Sequence, residues 1–289
     1  MKTWIYATRP HTLGASVAPM LIVLGALIAD GGLHFGLYLL CFIVALSAQI
    51  ASNFANDYFD YIGEKDTSKR IGFERLLQSG KVTPKQMMLA LIIALVICAA
   101  AGITLVAIQN WALIIIGVLV ILGAISYSAG PFPLSHQALG DIAVVFFYGL
   151  IPILASYYAI NGMFLPYLIP LAFGIGIWEA NILVTNNYRD YDEDVTSGKR
   201  TLIVRMGKAS GPILYLINAV LSVICIFLGL FLSGRTVWAI IIGVICLFLF
   251  GIGVLSIRRL RPSSLNKLLK YTNIVSLIVG FLILIALIF

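Results

Sequence analysis

The chain has 289 residues, of which 61% are hydrophobic and 11% are charged, with a formal net charge of +7 and a mean hydropathy of +1.04. This composition excludes a soluble globular domain, in which roughly a quarter of the residues are charged. We expect an all-α integral membrane protein, because a β-barrel would show short strands of alternating polarity instead.

Nine apolar segments follow one another along the chain. Each is close to the roughly 20 residues that a helix needs to cross a bilayer core of about 30 Å. The sequence therefore predicts nine transmembrane helices in a single domain covering residues 1–289. The segments run from 12 to 29, 36 to 55, 87 to 108, 111 to 128, 141 to 160, 164 to 187, 211 to 232, 236 to 257 and 271 to 289.

Basic residues are distributed very unevenly between the two sides of these segments. Of the 19 Lys and Arg residues, 18 fall in the N-terminus and in the connections after the second, sixth and eighth segments, and Arg235 alone lies on the other side. Because cytoplasmic loops carry the excess of Lys and Arg, we expect a multi-pass protein of the cell membrane with a cytoplasmic N-terminus and an external C-terminus. The positive charge suits contact with anionic lipid or phosphate and does not indicate nucleic-acid binding.

The second segment ends in a polar stripe. Its polar residues are spaced four, three and four apart, so they share one helical face. That face is expected to point into the protein. The residues are Gln49, Asn53, Asn56 and Asp60.

The two connections that follow on the same side differ in character. Residues 61–86 are polar and return to the membrane at Thr83 and Pro84, a helix-start signal, and we expect a short helix around Phe73 to Gln78. Residues 129–140 are rich in helix breakers. Three residues in or next to this second connection either line a site or belong to a plain loop: Tyr127, Ser128 and His136.

The sixth segment repeats the design of the second. Residues 56–70 align with residues 186–200 at a constant offset of 130, which is an internal repeat. The polar face again carries residues at spacings of four, three and four, and continues one turn further. Its residues are Glu179, Leu183, Asn186, Asp190 and Asp194. The identical pairs are Asn56/Asn186, Tyr58/Tyr188, Asp60/Asp190, Tyr61/Tyr191, Lys69/Lys199 and Arg70/Arg200.

The repeat holds most of the acidic residues of the chain. Of 12 Asp and Glu residues, five lie between positions 57 and 74 and four between 190 and 194. Two solvated acidic loops would explain a single cluster. Two copies with the same face, on the same side of the membrane, favour two halves of one polar site.

Clustered carboxylates next to basic residues suit a metal-bound diphosphate. Mg²⁺ takes one or two carboxylates together with phosphate oxygens and water, and Lys and Arg neutralise phosphate oxygens directly. A membrane-embedded cavity would accept the apolar tail of a lipid diphosphate, whose departing diphosphate the metal and cations stabilise. The candidate metal ligands are Asp57, Asp60, Asp66, Asp190 and Asp194, with Asp60 and Asp190 as catalytic residues. The candidate substrate-binding residues are Asn53, Asn56, Asn186, Lys69, Arg70, Lys199 and Arg200.

Two polar residues lie deeper than the repeated motifs. Gln49 and Glu179 each precede their motif Asn by seven residues, which is about 10 Å at 1.5 Å per residue. An ionisable residue at such depth is expected to face a cavity or a partner. Glu179 either hydrogen-bonds a neighbouring helix, Gln49 included, and serves packing, or acts with Gln49 as a catalytic and substrate-binding pair beside the reacting ring.

These motifs resemble the paired Asp-rich motifs of the UbiA superfamily of intramembrane prenyltransferases, and most closely its 1,4-dihydroxy-2-naphthoate polyprenyltransferases. The resemblance covers the first six segments. Phe73 stands where family members often have Pro. The matching stretches are Arg-Pro at 9–10, Asn-Asp-Tyr-Phe-Asp at 56–60, Gly-Lys-Val-Thr-Pro at 80–84, Gly-Pro-Phe-Pro-Leu at 130–134, Asn-Asn-Tyr-Arg-Asp at 186–190 and Gly-Lys-Arg-Thr-Leu at 198–202.

The resemblance implies transfer of a polyprenyl group from its diphosphate to an aromatic ring carbon, with loss of the ring carboxylate as CO₂. It implies Mg²⁺ as cofactor, a polyprenyl diphosphate and an aromatic acid as substrates, and nine helices. Arg9 joins the candidate substrate-binding residues on this ground, and Tyr127 joins them because of its place next to the connection at residues 129–140.

Three other functions remain open at this point. A related prenyltransferase acting on 4-hydroxybenzoate or homogentisate would share the metal site. A CDP-alcohol phosphotransferase would carry a denser Asp-Gly-Ala-Arg motif, which the sequence lacks. A two-repeat cation transporter would place its ionisable groups near the midplane, in inverted repeats.

Overall fold

The computed structural model describes residues 2–65 and 72–289. Over these residues the regular secondary structure consists of helices, without strands. We number the helices in chain order. They are α1 Lys2–Ala7, α2 Gly14–Ala29, α3 Phe35–Ile62, α4 Pro84–Ile108, α5 Leu113–Ser126, α6 Gly140–Asn161, α7 Leu168–Arg189, α8 Tyr191–Thr196, α9 Leu202–Met206, α10 Ser210–Leu232, α11 Thr236–Arg259 and α12 Leu265–Ile288. Short 3₁₀ turns lie at Leu134–His136 and Pro262–Ser264.

Each of the nine predicted segments corresponds to one apolar helix in the described part of the chain. Seven of them are long and apolar enough to cross a membrane. The other two, α2 and α5, have 16 and 14 residues, and rise only about 21–24 Å at 1.5 Å per residue. The multi-span helical architecture is confirmed, while α2 and α5 are shorter than a standard span.

Helix α3 extends seven residues beyond the predicted end at position 55. The added turns contain the first copy of the repeated motif, so the motif is helical. Its polar groups remain inside because they meet partners on other elements: Asp57 and Asp60 are buried. Because the polar side chains at this end of α3 have hydrogen-bond or charge partners within the protein, they can be buried away from water.

Helix α7 lies at the centre of the bundle. It packs against α6, α10 and α12, and 72% of its most apolar 18-residue stretch is buried inside the protein. Its contact with α6 is a close approach of backbones, because a Cβ placed on Gly149 would lie 2.3 Å from the carbonyl oxygen of Ala172. The middle of α6, Phe146–Ala155, is π-helical around Pro152, whose ring interrupts the regular hydrogen-bond ladder.

The helix expected around Phe73 to Gln78 does not form. Residues 76–80 make a single hydrogen-bonded turn that ends at Gly80, whose φ of +68° is left-handed. The preceding backbone is held by α3, since the N–H of Leu76 donates to Asp57 Oδ2 at 3.2 Å. The N–H of Leu76 is therefore bonded to a side chain of α3 and not to a backbone carbonyl within a helix. The helix start after this turn is confirmed, because Thr83 and Gln86 form a capping box.

The two repeat copies lie at the same end of the bundle, which we call the Asp-rich end. Lys65 Nζ, in the first copy, donates to the carbonyl of Ser197 in the second copy at 2.8 Å. The N–H of Arg200 donates to the carbonyl of His136 at 2.8 Å. Three connections that are far apart in sequence are thus joined at this end.

Candidate active site

A cavity opens at the Asp-rich end, and both repeat copies line it; we call it the polar cavity. Most of the predicted site residues are on its wall: Arg9, Gln49, Asn53, Asn56, Asp57, Asp60, Tyr127, Glu179, Asn186, Asp190, Asp194 and Lys199. Arg200 is exposed and is not part of this wall. Asp66, Lys69 and Arg70 lie outside the described residues.

Asp60 is surrounded by three basic side chains. Its carboxylate is 1% exposed, and Oδ2 lies 2.9 Å from Arg75 Nη2 and 3.3 Å from Lys199 Nζ. Its other oxygen, Oδ1, lies 2.8 Å from His136 Nε2. A buried carboxylate requires such compensation, because its transfer out of water is costly. Arg75, His136 and Lys199 come from three different connections, so Asp60 organises this end of the protein.

The first connection is fastened to α3 by Arg75 as well as by the bond between Leu76 and Asp57. Arg75 Nη1 donates to the carbonyl of Asn56 at 2.9 Å, and the Arg75 residue is buried. Asp57 is also buried, at the next position of the motif. The first copy thus positions both its carboxylates and the loop above them.

The second copy is arranged differently. Arg189 forms a two-point contact with its neighbour Asp190, from Nε and Nη2 at 2.7 Å each, and its Nη1 donates to Asn266 Oδ1 at 2.6 Å. Asp194 Oδ1 lies 3.8 Å from Lys199 Nζ. Lys199 therefore stands between Asp60 of the first copy and Asp194 of the second.

Asn56 links the chain ahead of α2 to the loop after α5. It accepts a hydrogen bond from Arg9 Nη2 at 2.8 Å and donates to Ser128 Oγ at 3.1 Å. Arg9 has a φ of +55°, a left-handed conformation that costs a non-glycine residue on the order of 1 kcal/mol or more. This conformation precedes Pro10, which disfavours the ordinary helical region at Arg9.

His11 and Phe73 form an aromatic stack on the wall of the polar cavity, with ring centroids 3.7 Å apart. Burial, and then the positive charges of Arg9, Lys270 and Arg189, lower the pKa of His11 to about 4. The imidazole is therefore neutral at physiological pH. Phe73, the residue that departs from the family pattern, fixes the loop to the chain ahead of α2.

The two deep residues do not bond each other. Glu179 is 1% exposed and accepts a hydrogen bond from Ser276 of α12. Gln49 is 4% exposed, and its Nε2 donates to the carbonyl of Thr12 at 2.7 Å. The expectation of a hydrogen bond from Glu179 to a neighbouring helix is met by Ser276, and both residues line the polar cavity.

A second cavity, which we call the apolar cavity, continues from the polar one between α2, α3, α5 and α6. Its wall is almost entirely hydrophobic. The two cavities share five lining residues, so they meet: Gln49, Ser52, Tyr127, Val144 and Tyr148.

Two basic residues of the site, Arg75 and Arg189, were not among the sequence-based candidates, whereas His136, for which the sequence left a site and a plain loop open, contacts Asp60. Arg75 had a signal, because the repeat alignment pairs it with Arg205, although Arg205 is exposed and bonds Gln137 instead. Arg189 replaces Phe59 in the alignment, which marks the second copy as different. His136 lies in an irregular connection and had no periodic signal.

The donor set fits a hard divalent cation. Asp57, Asp60, Asp190 and Asp194 supply carboxylate oxygens from both copies to one cavity, and such oxygens are the ligands that Mg²⁺ prefers. Lys199, between two of these carboxylates, shows that positive charge is accommodated there. Within residues 2–65 and 72–289, no three Asp, Glu, His or Cys side chains lie close enough together to hold a metal ion, and the ammonium of Lys199 lies near both Asp60 and Asp194.

The comparisons with known proteins identify the family of the chain. The sequence model of the UbiA prenyltransferase family matches residues 16–285. The 1,4-dihydroxy-2-naphthoate octaprenyltransferase of Haemophilus influenzae is 30% identical, with 98% of this chain and 94% of that protein covered. The enzyme of the same name from Escherichia coli is 32% identical, with 94% and 90% covered.

Similar solved structures include a UbiA homolog from Archaeoglobus fulgidus bound to GPP and Mg²⁺. It superimposes with a TM-score of 0.66 at 16% identity, covering 97% of this chain and 99% of that one, and this likeness concerns the fold alone. With the family match over most of the chain, the conclusion is direct: the chain belongs to the UbiA prenyltransferase family, whose enzymes are multi-span membrane proteins.

Proposed function

We propose that the protein transfers a polyprenyl group from polyprenyl diphosphate to a ring carbon of 1,4-dihydroxy-2-naphthoate, releasing CO₂ and diphosphate and giving demethylmenaquinol, the reduced form of demethylmenaquinone. The Asp-rich end would face the cytoplasm of a cell-membrane protein. The observation that carries the proposal is the meeting of the polar and apolar cavities, because a prenyl diphosphate has one highly charged end and one long apolar end. The acceptor is suggested by the names of relatives that match this chain over most of their length.

The diphosphate would bind at the Asp-rich end. Lys199, Arg75 and His136 meet there around Asp60, and these donors would transfer their hydrogen bonds from the carboxylate to diphosphate oxygens. Charge-assisted bonds of this kind are stronger than neutral ones. Lys69 and Arg70, and the exposed Arg200, stay in the proposal as further cations.

The four carboxylates Asp57, Asp60, Asp190 and Asp194 would hold Mg²⁺ from both copies, with Asp66 as a fifth ligand. Mg²⁺ bound there would neutralise the negative charge that develops on the diphosphate as it departs. Asn56 and Asn186 line the same wall and would orient the bound diphosphate or its waters.

The prenyl tail would lie in the apolar cavity. Its wall is built mainly from aliphatic side chains and glycines of α3, α5 and α6, so water gains little by entering it. A dry wall protects the allylic cation from hydrolysis and leaves the aromatic ring as the nearest nucleophile. The ring would therefore react where the two cavities meet.

The test is a transfer assay with purified protein in detergent micelles. Octaprenyl diphosphate and 1,4-dihydroxy-2-naphthoate are supplied with Mg²⁺ or with EDTA, and diphosphate, CO₂ and the prenylated product are measured. We expect all three products in equal amounts, and only with Mg²⁺. Transfer to 4-hydroxybenzoate or homogentisate in preference to the naphthoate would assign another acceptor. Mg²⁺ flux across vesicles without any transfer would support a transporter instead.

A further inference from the structure

In the described part of the chain, only one of the two carboxyl oxygens of Glu179 has a hydrogen-bond partner. Ser276 Oγ donates to Oε1, whereas Oε2 is buried and has no hydrogen-bond partner among residues 2–65 and 72–289. No basic side chain forms an ion pair with Glu179 within those same ranges. Glu179 nevertheless lines the polar cavity, although it is only 1% exposed. In the ionised carboxyl group this oxygen is an acceptor without a donor, which is costly in a buried position, and a group bound in the polar cavity is the candidate donor.

Gln49 presents a second acceptor of the same kind. Its Nε2 is used by the carbonyl of Thr12 at 2.7 Å, which fixes the orientation of the amide. Its Oε1 is buried and has no partner in the described part of the chain. Gln49 lines both the polar and the apolar cavity. Where the two cavities meet, the group of Gln49 that is left without a partner is therefore an acceptor and not a donor.

Glu179 and Gln49 lie close to the place where the prenyl substrate is proposed to react. Glu179 and Gln49 lie about 10 Å below the motif residues Asn186 and Asn56, at 1.5 Å per residue. In the proposed function, the diphosphate lies at the Asp-rich end and the tail lies in the apolar cavity, so the reacting allylic carbon is at their junction. The ring that attacks this carbon must lie there too.

Glu179 Oε2 and Gln49 Oε1 both accept hydrogen bonds, so they should favour an aromatic ring that carries hydrogen-bond donors. A ring with two hydroxyl groups brings two donors and satisfies both oxygens. The oxidised ring, a quinone, brings carbonyl oxygens that would face Glu179 Oε2 and Gln49 Oε1 without any donor between them. Sites built to bind a hydroxyl group reject analogues that lack it strongly, because their polar groups remain unpaired.

We propose that Glu179 and Gln49 form an acceptor pair that binds the two hydroxyl groups of a dihydroxylated aromatic acid, and that Glu179 takes the proton of one hydroxyl during transfer. The proposal rests on the proposed function, and adds to it the recognition of the reduced form of the acceptor. Ser276 is a positioning residue, because it holds Oε1 and turns Oε2 to the ring.

The proton transfer balances as follows. The hydroxyl next to the carboxylate-bearing carbon gives its proton to Glu179 Oε2, and its oxygen becomes a keto group. The electron pair released into the ring forms the bond from the carboxylate-bearing carbon to the prenyl carbon, and the bond from the prenyl carbon to diphosphate breaks. The product is a β-keto acid. Loss of CO₂ returns the electron pair to the ring oxygen, which recovers its proton from Glu179.

Binding is tested without turnover. Calorimetry on detergent-solubilised protein, under anaerobic conditions and without metal or prenyl diphosphate, compares 1,4-dihydroxy-2-naphthoate with 1,4-naphthoquinone-2-carboxylate. We expect wild type to prefer the dihydroxy form by about 100-fold or more. Glu179→Gln keeps the acceptor for Ser276 and places an amide donor at the other position, and Gln49→Met removes the second acceptor. Each should reduce the preference to about tenfold or less.

Turnover tests the proton transfer. Glu179→Gln should lower kcat by about 100-fold or more, while KM for prenyl diphosphate stays within about twofold of wild type. Thr185→Val is the matched control, because Thr185 is buried on the same helix, bonds the carbonyl of Asn181 and does not line the polar cavity. This control should bind and turn over like wild type, and all variants are first checked for folding by thermal unfolding in micelles.

The outcomes separate this inference from the proposed function. Equal affinity of wild type for the two oxidation states, or a Glu179→Gln variant with unchanged preference and kcat, would overturn the acceptor pair while transfer by wild type leaves the proposed function intact. A wild-type protein that transfers nothing to 1,4-dihydroxy-2-naphthoate, yet binds it through Glu179 and Gln49, would overturn the proposed reaction and support the pair as a binding site.

Discussion

The ammonium of Lys199, from the second repeat copy, lies 3.3 Å from a carboxylate oxygen of Asp60, in the first copy. The same ammonium is 3.8 Å from Asp194. One basic side chain therefore joins the two halves of the site, and it is placed where a diphosphate and a metal would have to enter. Its position makes Lys199 the first residue to test.

Lys199→Met should weaken binding of prenyl diphosphate. A hydrogen bond from a charged donor contributes about 1.5–3 kcal/mol, and each 1.4 kcal/mol is a factor of ten, so we expect KM for prenyl diphosphate to rise by about tenfold to a hundredfold. The measurement is steady-state transfer at saturating acceptor. Lys208→Met is the control, because Lys208 pairs with the exposed Asp192 at 2.6 Å and does not line the polar cavity. Its KM should stay within about twofold of wild type.

Asp60→Asn should impair both folding stability and transfer. The neutral amide would leave Arg75, His136 and Lys199 around a group without charge. Removing one partner of a buried ion pair typically costs about 3–5 kcal/mol. We expect a lower Tm in micelles and transfer below about 1% of wild type, because the proposed metal also loses a ligand.

The matched variant Asp192→Asn removes a carboxylate that is 80% exposed and paired only at the surface. Surface pairs contribute about 0–1 kcal/mol, so Tm and transfer should remain close to wild type. Equal effects of the two substitutions would show that Asp60 has no special role.

The site could be predicted from the sequence where a helical period fixes the position of side chains. Spacings of four, three and four placed Asn56 and Asp60 on one face, and the offset of 130 placed Asp190 opposite them. The helix ends were less accurate, because α3 continues through a polar motif that pairs with other elements. Periodicity cannot reveal that pairing.

Two of the basic residues around Asp60 come from irregular segments, where the sequence could not fix their position. His136 reaches Asp60 from a position 76 residues further along the chain, and Arg75 does so from a turn that had been expected as a helix. No spacing rule fixes such positions, because they depend on how the connections fold over the bundle. Ser276, the partner of Glu179, lies on the last helix and shows no motif.

The orientation of the protein in the membrane is tested by labelling. Because 18 of the 19 Lys and Arg residues are expected on the cytoplasmic side, single cysteines are introduced at Lys199 and at Arg235 in a background without the four native cysteines. In intact cells, an impermeant maleimide should label position 235 and leave position 199 unlabelled until the membrane is opened. The reverse pattern would turn the Asp-rich end outward and contradict a cytoplasmic active site.

The apolar cavity should limit the length of the prenyl tail. Gly117 lines it, and a Cβ at this position would meet no other atom within 4 Å, so a side chain can start here without contact, and Gly117→Leu would take up space that the tail needs. We expect KM for octaprenyl diphosphate to rise by about tenfold, as the leucine displaces several methylene groups of roughly 0.8 kcal/mol each. Transfer from geranyl diphosphate should be unchanged. Gly251→Leu on α11, where a Cβ also meets nothing and neither cavity is near, is the control.

His11, which stacks on Phe73, should make the stability of the folded protein depend on pH. The pKa of His11 is lowered to about 4 in the folded protein by burial and by Arg9, Lys270 and Arg189, whereas an unfolded histidine has a pKa of about 6.5. Between these values the unfolded chain binds the proton and the folded protein does not. The contribution of His11 to stability is therefore fully present above pH 6.5 and is lost as the pH falls toward 4. In His11→Phe the stack remains and the titration is removed, so Tm measured in micelles should fall less steeply from pH 6.5 to pH 4 than in wild type. Parallel curves for the two proteins would mean that His11 is protonated in the folded state without cost.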